Sequence, residues 1–321
     1  QLEWKEGDKV TIFCDQTKAP DGKGGWAKKT SAVYEIKKGD LIAHEYEVNG
    51  QKIKNNCWTN LHPESDAKDP VLNKETEALY WGSDAGQHTF YACYGKGVSV
   101  DETSGKVKCS YNPMQLLEYD QNRNECTNAD YAYMVSKKIM TPDDVVSMAF
   151  DPIMTTLQVE VQGPATGNVV LSAMEITLPK ECDVINMDGT FAVTCNSGGF
   201  DVVASTEAQK EETYVFLLKD LLTLPYGQSV KFTIFLPPVK IQKTDEVKLS
   251  IVATDASCTS KISNVEVPAG GKFAIKAPEW VKKDAAAQEG KDWVDLGLGV
   301  KWATRNIGAS TPEEAGGYFG W

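Results

Sequence analysis

The sequence predicts an all-β protein, and three observations carry this prediction. Short segments with apolar residues at every second position recur along most of the chain. Gly, Asn, Asp and Pro, which are typical of turns, separate these segments. No apolar stretch approaches the length needed to span a membrane. Because alternation turns one face of each strand towards a core, a β-sandwich or a barrel is expected.

A first cluster of strands is predicted over residues 1–144. It begins with the alternating segment GDKVTIFC and continues with a hairpin in LIAHEYEVNGQKIK, where Asn49 and Gly50 form a two-residue turn. The segment HTFYACY then places Phe90 and Ala92 on one face. The polar segment SKKIMTPDD lies between this cluster and the next. We therefore predict one domain over residues 1–144.

A second cluster of strands is predicted over residues 145–278. Its alternating segments are TTLQVEV, SVKFTIFLPP, VKLSIVAT and GGKFAIKAP. Residues 205–222 have a composition that also suits a helix, but the β-branched and aromatic residues of TYVFLL favour a strand. The charged, Ala-containing residues 279–291 are predicted to be a linker.

Eight cysteines, an even number, suggest disulfides in an exported protein. In ECDVINMDGTFAVTC, the Asp188-Gly189 pair predicts a two-residue type I′ turn. This turn would place Cys182 opposite Cys195 in a non-hydrogen-bonded pair, where side chains approach most closely. A disulfide between them is the prediction; two reduced, buried thiols are the alternative, and a bulge would change the register.

Charge and motifs exclude several functions. The net charge of −12 disfavours nucleic acid as a partner. Glycine-rich nucleotide loops and zinc-ligand spacing are absent from the sequence. His88 and Cys93 lie five positions apart in one predicted strand, so their side chains point to opposite faces and do not form a catalytic pair. The sequence predicts no catalytic residue, no cofactor and no metal site, and therefore no enzyme.

Two tryptophans are candidates for ligand binding. Trp26 and Trp58 occur in polar, turn-rich surroundings, GKGGWAKK and NNCWTN. Exposed rings there can stack on sugars or anchor a protein partner. The alternative is that both rings close the end of a sandwich.

Several segments, in their order, resemble the fimbrillin-like proteins of Bacteroides and its relatives, a family of type V pilins and fimbrial adhesins. The segments are WKEGDKVTIFC, EALYWGSDAGQHTFYACYG, ADYAYMVSKK, SMAFDPIMTTLQVEV, FTIFLPP and AGGKFAIKAP. The resemblance covers residues 1–278. It departs from the family pattern at Asp151-Pro152, where the family usually has a histidine.

The resemblance implies two tandem transthyretin-like β-sandwich domains with Greek-key connections, plus a short C-terminal fragment. It implies an exported, non-enzymatic component of cell-surface fimbriae at the outer membrane, most consistent with a tip or accessory adhesin. Other pilin subunits would be its partners through donor-strand complementation, with a host protein or glycan as receptor. Membrane attachment would require a lipid anchor that this sequence does not contain. The alternative function is a surface glycan-binding lipoprotein that uses Trp26 and Trp58.

The last segment, residues 292–321, resembles the start of a module appended to many Bacteroides surface proteins. Its residues 294–302 alternate apolar with small or polar residues and predict one strand. The apolar positions are Val294, Leu296, Leu298, Val300 and Trp302. Two interpretations remain open: a truncated start of a third module, or a donor-like strand for a neighbouring subunit. Because five such side chains are costly to leave in water, we expect the segment to be either disordered or, if ordered, an added strand on a sandwich of its own chain or of a neighbouring molecule.

Overall fold

The computed structural model describes residues 3–48, 50–63, 78–82, 86–101, 103–142, 147–179, 184–186, 189–196, 199–203, 213–254, 256–277, 279–282, 293–295 and 301–303. The strands, in chain order, are β1 (Lys9–Phe13), β2 (Lys18–Pro20), β3 (Trp26–Lys28), β4 (Ser31–Glu35), β5 (Leu41–Val48), β6 (Gln51–Trp58), β7 (His62–Pro63), β8 (His88–Tyr94), β9 (Val98–Asp101), β10 (Lys106–Ser110), β11 (Met114–Asp120), β12 (Glu125–Thr127), β13 (Met134–Met140), β14 (Asp151–Pro152), β15 (Thr155–Gln162), β16 (Asn168–Thr177), β17 (Thr190–Asn196), β18 (Gly199–Val202), β19 (Thr213–Pro225), β20 (Ser229–Leu236), β21 (Val247–Ala253), β22 (Ala256–Ile262), β23 (Lys272–Lys276), β24 (Val281–Lys282), β25 (Trp293–Asp295) and β26 (Lys301–Ala303).

The predicted all-β fold class is confirmed, since strands make up 59% of the described residues and helix 3%. The described helices are single 3-10 turns, Lys38–Asp40 and Ala129–Tyr131. Neither these turns nor any other part of the described chain forms a helix long and apolar enough to cross a membrane.

The first sandwich consists of a six-stranded sheet, in the order β14-β13-β8-β1-β4-β7, and a four-stranded sheet, in the order β18-β17-β10-β9. Buried residues of both sheets share one core, among them Cys93 on β8, Val107 on β10 and Phe191 on β17. The opposite face of β1 and β8 is covered as well, because Val10 and Phe90 belong to a second buried cluster there. The six-stranded sheet is therefore covered on both of its faces.

The second sandwich is formed by one curled sheet of ten strands, in the order β23-β15-β20-β12-β11-β19-β16-β21-β22-β24. β11 makes the corner: its first half pairs with β19 and its second half with β12. Strand β15 buries every second residue, Thr155, Leu157, Val159 and Val161, as its sequence predicts. These side chains face those of β16 and β21 across the core.

The two sandwiches exchange strands. β11 and β12, which lie within residues 1–144, belong to the ten-stranded sheet. β17 and β18, which lie within residues 145–278, complete the first sandwich: β17 pairs with β10, and β18 pairs with β17. The sheets therefore do not follow the predicted boundary at residue 144, because each half of the chain contributes a pair of strands to the other half. The division into two folding units stays a prediction.

The predicted linker begins later than residue 279. The indole N–H of Trp280 donates to the carbonyl of Gln162 at 2.7 Å, and β24 pairs with β22. β23 and β24 lie at opposite ends of the ten-stranded sheet, yet residues 277–280 alone connect them. Because this connection spans at most about 18 Å, the sheet must curl until its ends approach each other. The second sandwich thus extends to Lys282.

Two local predictions are confirmed. β5 and β6 form the hairpin predicted around Asn49 and Gly50, with Val48 opposite Gln51. Residues 213–225 form the strand β19. Opposite Ser172, four residues of β19, 218–221, have no partner on β16, so β19 bulges at this point.

The register predicted for the type I′ turn at Asp188-Gly189 is wrong. The N–H of Asn186 donates to the carbonyl of Thr190 and the N–H of Gly189 donates to that of Asn186, whereas the prediction pairs residue 187 with residue 190. Gly189 has a φ of 75°, and residues 187 and 188 lie outside the described residues. The neighbours of Cys195 are Phe200 on β18 and Gly105, towards which the Cys195 N–H points. The register that predicted a Cys182–Cys195 disulfide is therefore not the observed one. Cys182 itself lies outside the described residues.

The single strand predicted over residues 294–302 is also wrong. β25 and β26 are short and pair antiparallel, with Val294 opposite Trp302, so the chain reverses between them. Within the described residues these two strands pair with no other strand, so neither is added to a sandwich of its own chain; addition to a neighbouring molecule stays a prediction. Leu296, Leu298 and Val300 lie outside the described residues.

We expect Gly163→Ala to destabilise the protein by about 1–3 kcal/mol. A Cβ atom at position 163 would lie 1.9 Å from the carbonyl oxygen of Pro225, and backbone cannot move aside as a side chain can. Gly39→Ala is the control, since a Cβ there meets nothing within 4 Å. Urea denaturation measures both free energies of unfolding. Equal values for the two variants would contradict the close approach of residues 163 and 225.

Candidate functional site: an aromatic cleft on the first sandwich

The described residues do not form a recognisable catalytic centre. No group of three or more His, Cys, Asp or Glu residues among them is arranged to hold a metal ion. Burial raises the pKa of Cys195 and of Cys258 to about 11, so these thiols stay protonated and weakly nucleophilic at neutral pH.

His88 and Cys93 lie on opposite faces of β8, as predicted. His88 is fully buried, contacts Trp81 and accepts the N–H of Gly82 at Nε2. Cys93 faces the core between the two sheets of the first sandwich, and burial raises its pKa well above its usual value. The pair therefore has the geometry of two separate core residues.

A cleft of about 280 Å³ opens on the outer face of the six-stranded sheet. Its floor is formed by side chains of three adjacent strands: Ile12 on β1, Tyr34 on β4 and Phe90 on β8. Segments that cross this face supply the walls, and the full lining is Ile12, Thr17, Tyr34, Trp58, Thr59, Asn60, Leu61, Leu79, Tyr80, Trp81, Phe90 and Met148.

Backbone hydrogen bonds fix the wall at residues 79–81. Tyr80 and Lys18 exchange two backbone hydrogen bonds of 2.9 and 3.0 Å, and the N–H of Leu79 donates to the Tyr34 hydroxyl at 2.9 Å. The Trp81 ring then packs edge-on against His88 and Phe90, with centroids 5.0 and 5.3 Å away. Trp81 is thus both a packing residue and part of the cleft.

Trp58 forms the opposite wall at the end of β6. It is half-buried and packs edge-on against Trp4, with ring centroids 4.4 Å apart, and against Phe150. The next residues are held by Asp40, which accepts hydrogen bonds from the backbone of Thr59 through its carbonyl and from Asn60 through its carboxylate. The Asn60 hydrogen bond, followed by that of His62, lowers the pKa of Asp40.

Trp26 stands beside the cleft on β3. It is 55% exposed, its ring lies 5.3 Å from that of Tyr80, and the ammonium group of Lys18 lies 4.6 Å from its centroid. Since Tyr80 also lines the cleft, the fold brings both candidate ligand-stacking residues to one region. Trp26 is exposed there, whereas Trp58 is a wall residue.

The cleft also contains polar groups. The Tyr34 hydroxyl accepts the N–H of Leu79, and within the described chain no residue accepts its proton. Burial raises the pKa of Tyr34, so this hydroxyl stays protonated. The amide nitrogen of Asn60 is bonded to Asp40, which leaves its carbonyl oxygen directed elsewhere. Sequence reasoning missed Tyr34, which no local pattern links to Trp58 or Trp81. It also missed Asn60, which ends the quoted segment NNCWTN, because a polar residue beside a tryptophan does not by itself indicate a cleft.

Comparisons with known proteins give structural similarity only. No protein-family description matches the chain, and no curated protein matches it. Among solved structures, a "putative cell adhesion protein" from Bacteroides ovatus has a TM-score of 0.45 and 11% identity, over 88% of this chain and 87% of that one. One of the same name from Bacteroides uniformis has a TM-score of 0.45 and 11% identity, over 88% and 93%.

A third solved structure is the tip fimbrial protein Mfa3 from Porphyromonas gingivalis with a C-terminal truncation. Its TM-score is 0.29 and its identity 8%, over 87% of this chain and 86% of that one. This chain is therefore similar, along most of its length, to solved structures named as Bacteroides cell adhesion proteins and as a fimbrial tip protein.

Proposed function

We propose that this protein is a non-enzymatic adhesive subunit of cell-surface fimbriae, at the tip or in an accessory position. The observation that carries the proposal is where the family-like segments fall. Three of them form the adjacent strands β13-β8-β1 of the first sandwich, and three others form the adjacent strands β23-β15-β20 of the second. The family-like segments therefore lie side by side, at the centre of the six-stranded sheet and at one end of the ten-stranded sheet, so the resemblance reaches both sandwiches.

The exchange of strands between the sandwiches supports a load-bearing role. Pulling residues 1–144 away from residues 145–278 would have to break the pairing of β11 with β19 and of β17 with β10. A fimbrial subunit that transmits tension along its chain benefits from such a connection.

We further propose that the subunits assemble by donor-strand complementation and that residues 293–303 are the donor. The alternating apolar residues of this segment suit strand addition to another subunit. In the single chain β25 and β26 pair with each other, so donation would require this hairpin to open. An appended C-terminal module, the other interpretation of residues 292–321, favours the tip or accessory position, because a repeating subunit needs a free end for polymerisation.

The test compares the full chain with a chain that ends at Lys282, which retains both sandwiches. Each is expressed with an epitope tag in the bacterium of origin, in place of the natural gene. We expect the full chain in high-mass surface filaments and the shortened chain, with unchanged melting, outside them. Equal incorporation of both chains would contradict the donor role. Absence of the full chain from any surface filament would contradict the fimbrial function.

A further inference from the structure

We infer that the aromatic cleft binds a neutral pyranose unit of a glycan. The inference rests on the proposed adhesive function for its biological setting and names the class of ligand that the adhesin takes. The volume of the cleft, about 280 Å³, lies just below the usual range for small-molecule sites, about 300–1,000 Å³. This suits one sugar ring better than a folded peptide.

The charge of the ligand follows from the lining. Every lining side chain is uncharged, so a charged ligand would lose its water without gaining an ionic partner. The protein's net charge of −12 adds a long-range repulsion of anions. Sialylated, sulfated and uronic-acid sugars are therefore disfavoured, and a neutral sugar is favoured.

The mixture of surfaces matches a pyranose. Trp58, Trp81 and Phe90 offer apolar ring surface for the C–H face of a sugar, while the Tyr34 proton and the Asn60 carbonyl can bond its hydroxyls. An apolar peptide side chain in the same place would leave the buried Tyr34 donor unpaired, which costs binding energy. The polar groups therefore favour the sugar over the peptide.

The position of Trp26 extends the site. Its exposed ring adjoins Tyr80, which lines the cleft, so a glycan that leaves the cleft on this side passes over Trp26. We expect Trp26→Ala to weaken the binding of oligosaccharides while leaving that of a single sugar unchanged.

The experiment screens the full chain on an array of neutral, sialylated and sulfated glycans and measures the affinity of each neutral hit by tryptophan fluorescence. Tyr34→Phe removes the hydroxyl and should weaken binding about tenfold. Leu61→Trp fills the cleft from its half-buried wall and should abolish binding. Tyr226→Phe, exposed on the second sandwich, is the matched control and should bind as the wild type does. Melting curves and near-ultraviolet circular dichroism confirm that each variant is folded.

Neutral binding that is lost in Leu61→Trp supports the inference. The inference is overturned if the protein binds only charged glycans or no glycan. It is also overturned if folded Leu61→Trp binds neutral glycans as strongly as the wild type does. If the wild type binds no neutral glycan, this overturns the inference whether or not the variants fold. A chain that enters filaments but binds no neutral glycan overturns this inference and leaves the fimbrial function standing. A chain that binds through the cleft but enters no filament overturns the fimbrial function alone.

Discussion

We expect two fragments, residues 1–144 and residues 145–321, to remain unfolded when each is produced alone. We expect them to fold when they are produced together. The first fragment lacks β17, whose Phe191 and Val193 are buried in the first sandwich. The second lacks β11 and β12, which connect β20 to β19 in the ten-stranded sheet. Each missing core side chain lowers the free energy of unfolding by about 1.5–3 kcal/mol, and the total free energy of unfolding of a protein is typically about 5–15 kcal/mol.

Circular dichroism and size-exclusion chromatography of each fragment, and of the mixture, check this prediction. The control is the intact chain ending at Lys282, which keeps every strand of the two sandwiches and should melt as the full chain does. A cooperative melting transition in either fragment alone would show that the exchanged strands are dispensable. It would also support the predicted division at residue 144 as one between independent folding units.

Tyr111→Ala is expected to lower the stability by about 3–5 kcal/mol, the largest effect that we expect from a single substitution. Tyr111 lies between β10 of the first sandwich and β11 of the second and is only 3% exposed. Its ring packs against Phe191 on β17 and Tyr214 on β19. Its hydroxyl donates to the carbonyl of Phe235 on β20 at 2.9 Å. The side chain thus joins both cores at the point where the strands cross over.

Denaturation followed by two probes, circular dichroism and tryptophan fluorescence, measures this effect. Tyr111→Phe keeps the ring and should lose only the hydrogen bond, about 0.5–1.5 kcal/mol. Tyr226→Ala, at a tyrosine that is 66% exposed, is the control and should stay within about 0.5 kcal/mol of the wild type. A loss below about 1 kcal/mol for Tyr111→Ala, on the scale of ordinary substitutions, would contradict its role between the cores.

Burial also determines the ionisation of Tyr111. It raises the pKa of this hydroxyl well above its usual value, so the donor to Phe235 stays protonated through the neutral range. The same cause raises the pKa of Cys126 to about 12. The buried groups of both cores are therefore neutral under ordinary conditions.

Local sequence determined the fold class and most strands. Alternation in TTLQVEV places Leu157 and Val159 inward because successive side chains of a strand point to opposite faces. The same rule separated His88 from Cys93, and Asn49-Gly50 specified a hairpin through its turn. These features depend on residues within a few positions of one another, so one sequence suffices to read them.

Tertiary structure alone decided which strands became neighbours. No local pattern in β11 or β17 marks it as a strand that crosses to the other sandwich, because pairing depends on distant partners and on the shared core. Cys195 lies between Phe200 and Gly105 because β17 pairs with β18 on one side and with β10 on the other. The cleft likewise arose only when the fold placed Tyr34, Trp58 and Trp81 around one sheet face. A ligand site of this kind is a product of long-range packing, which a single sequence does not display.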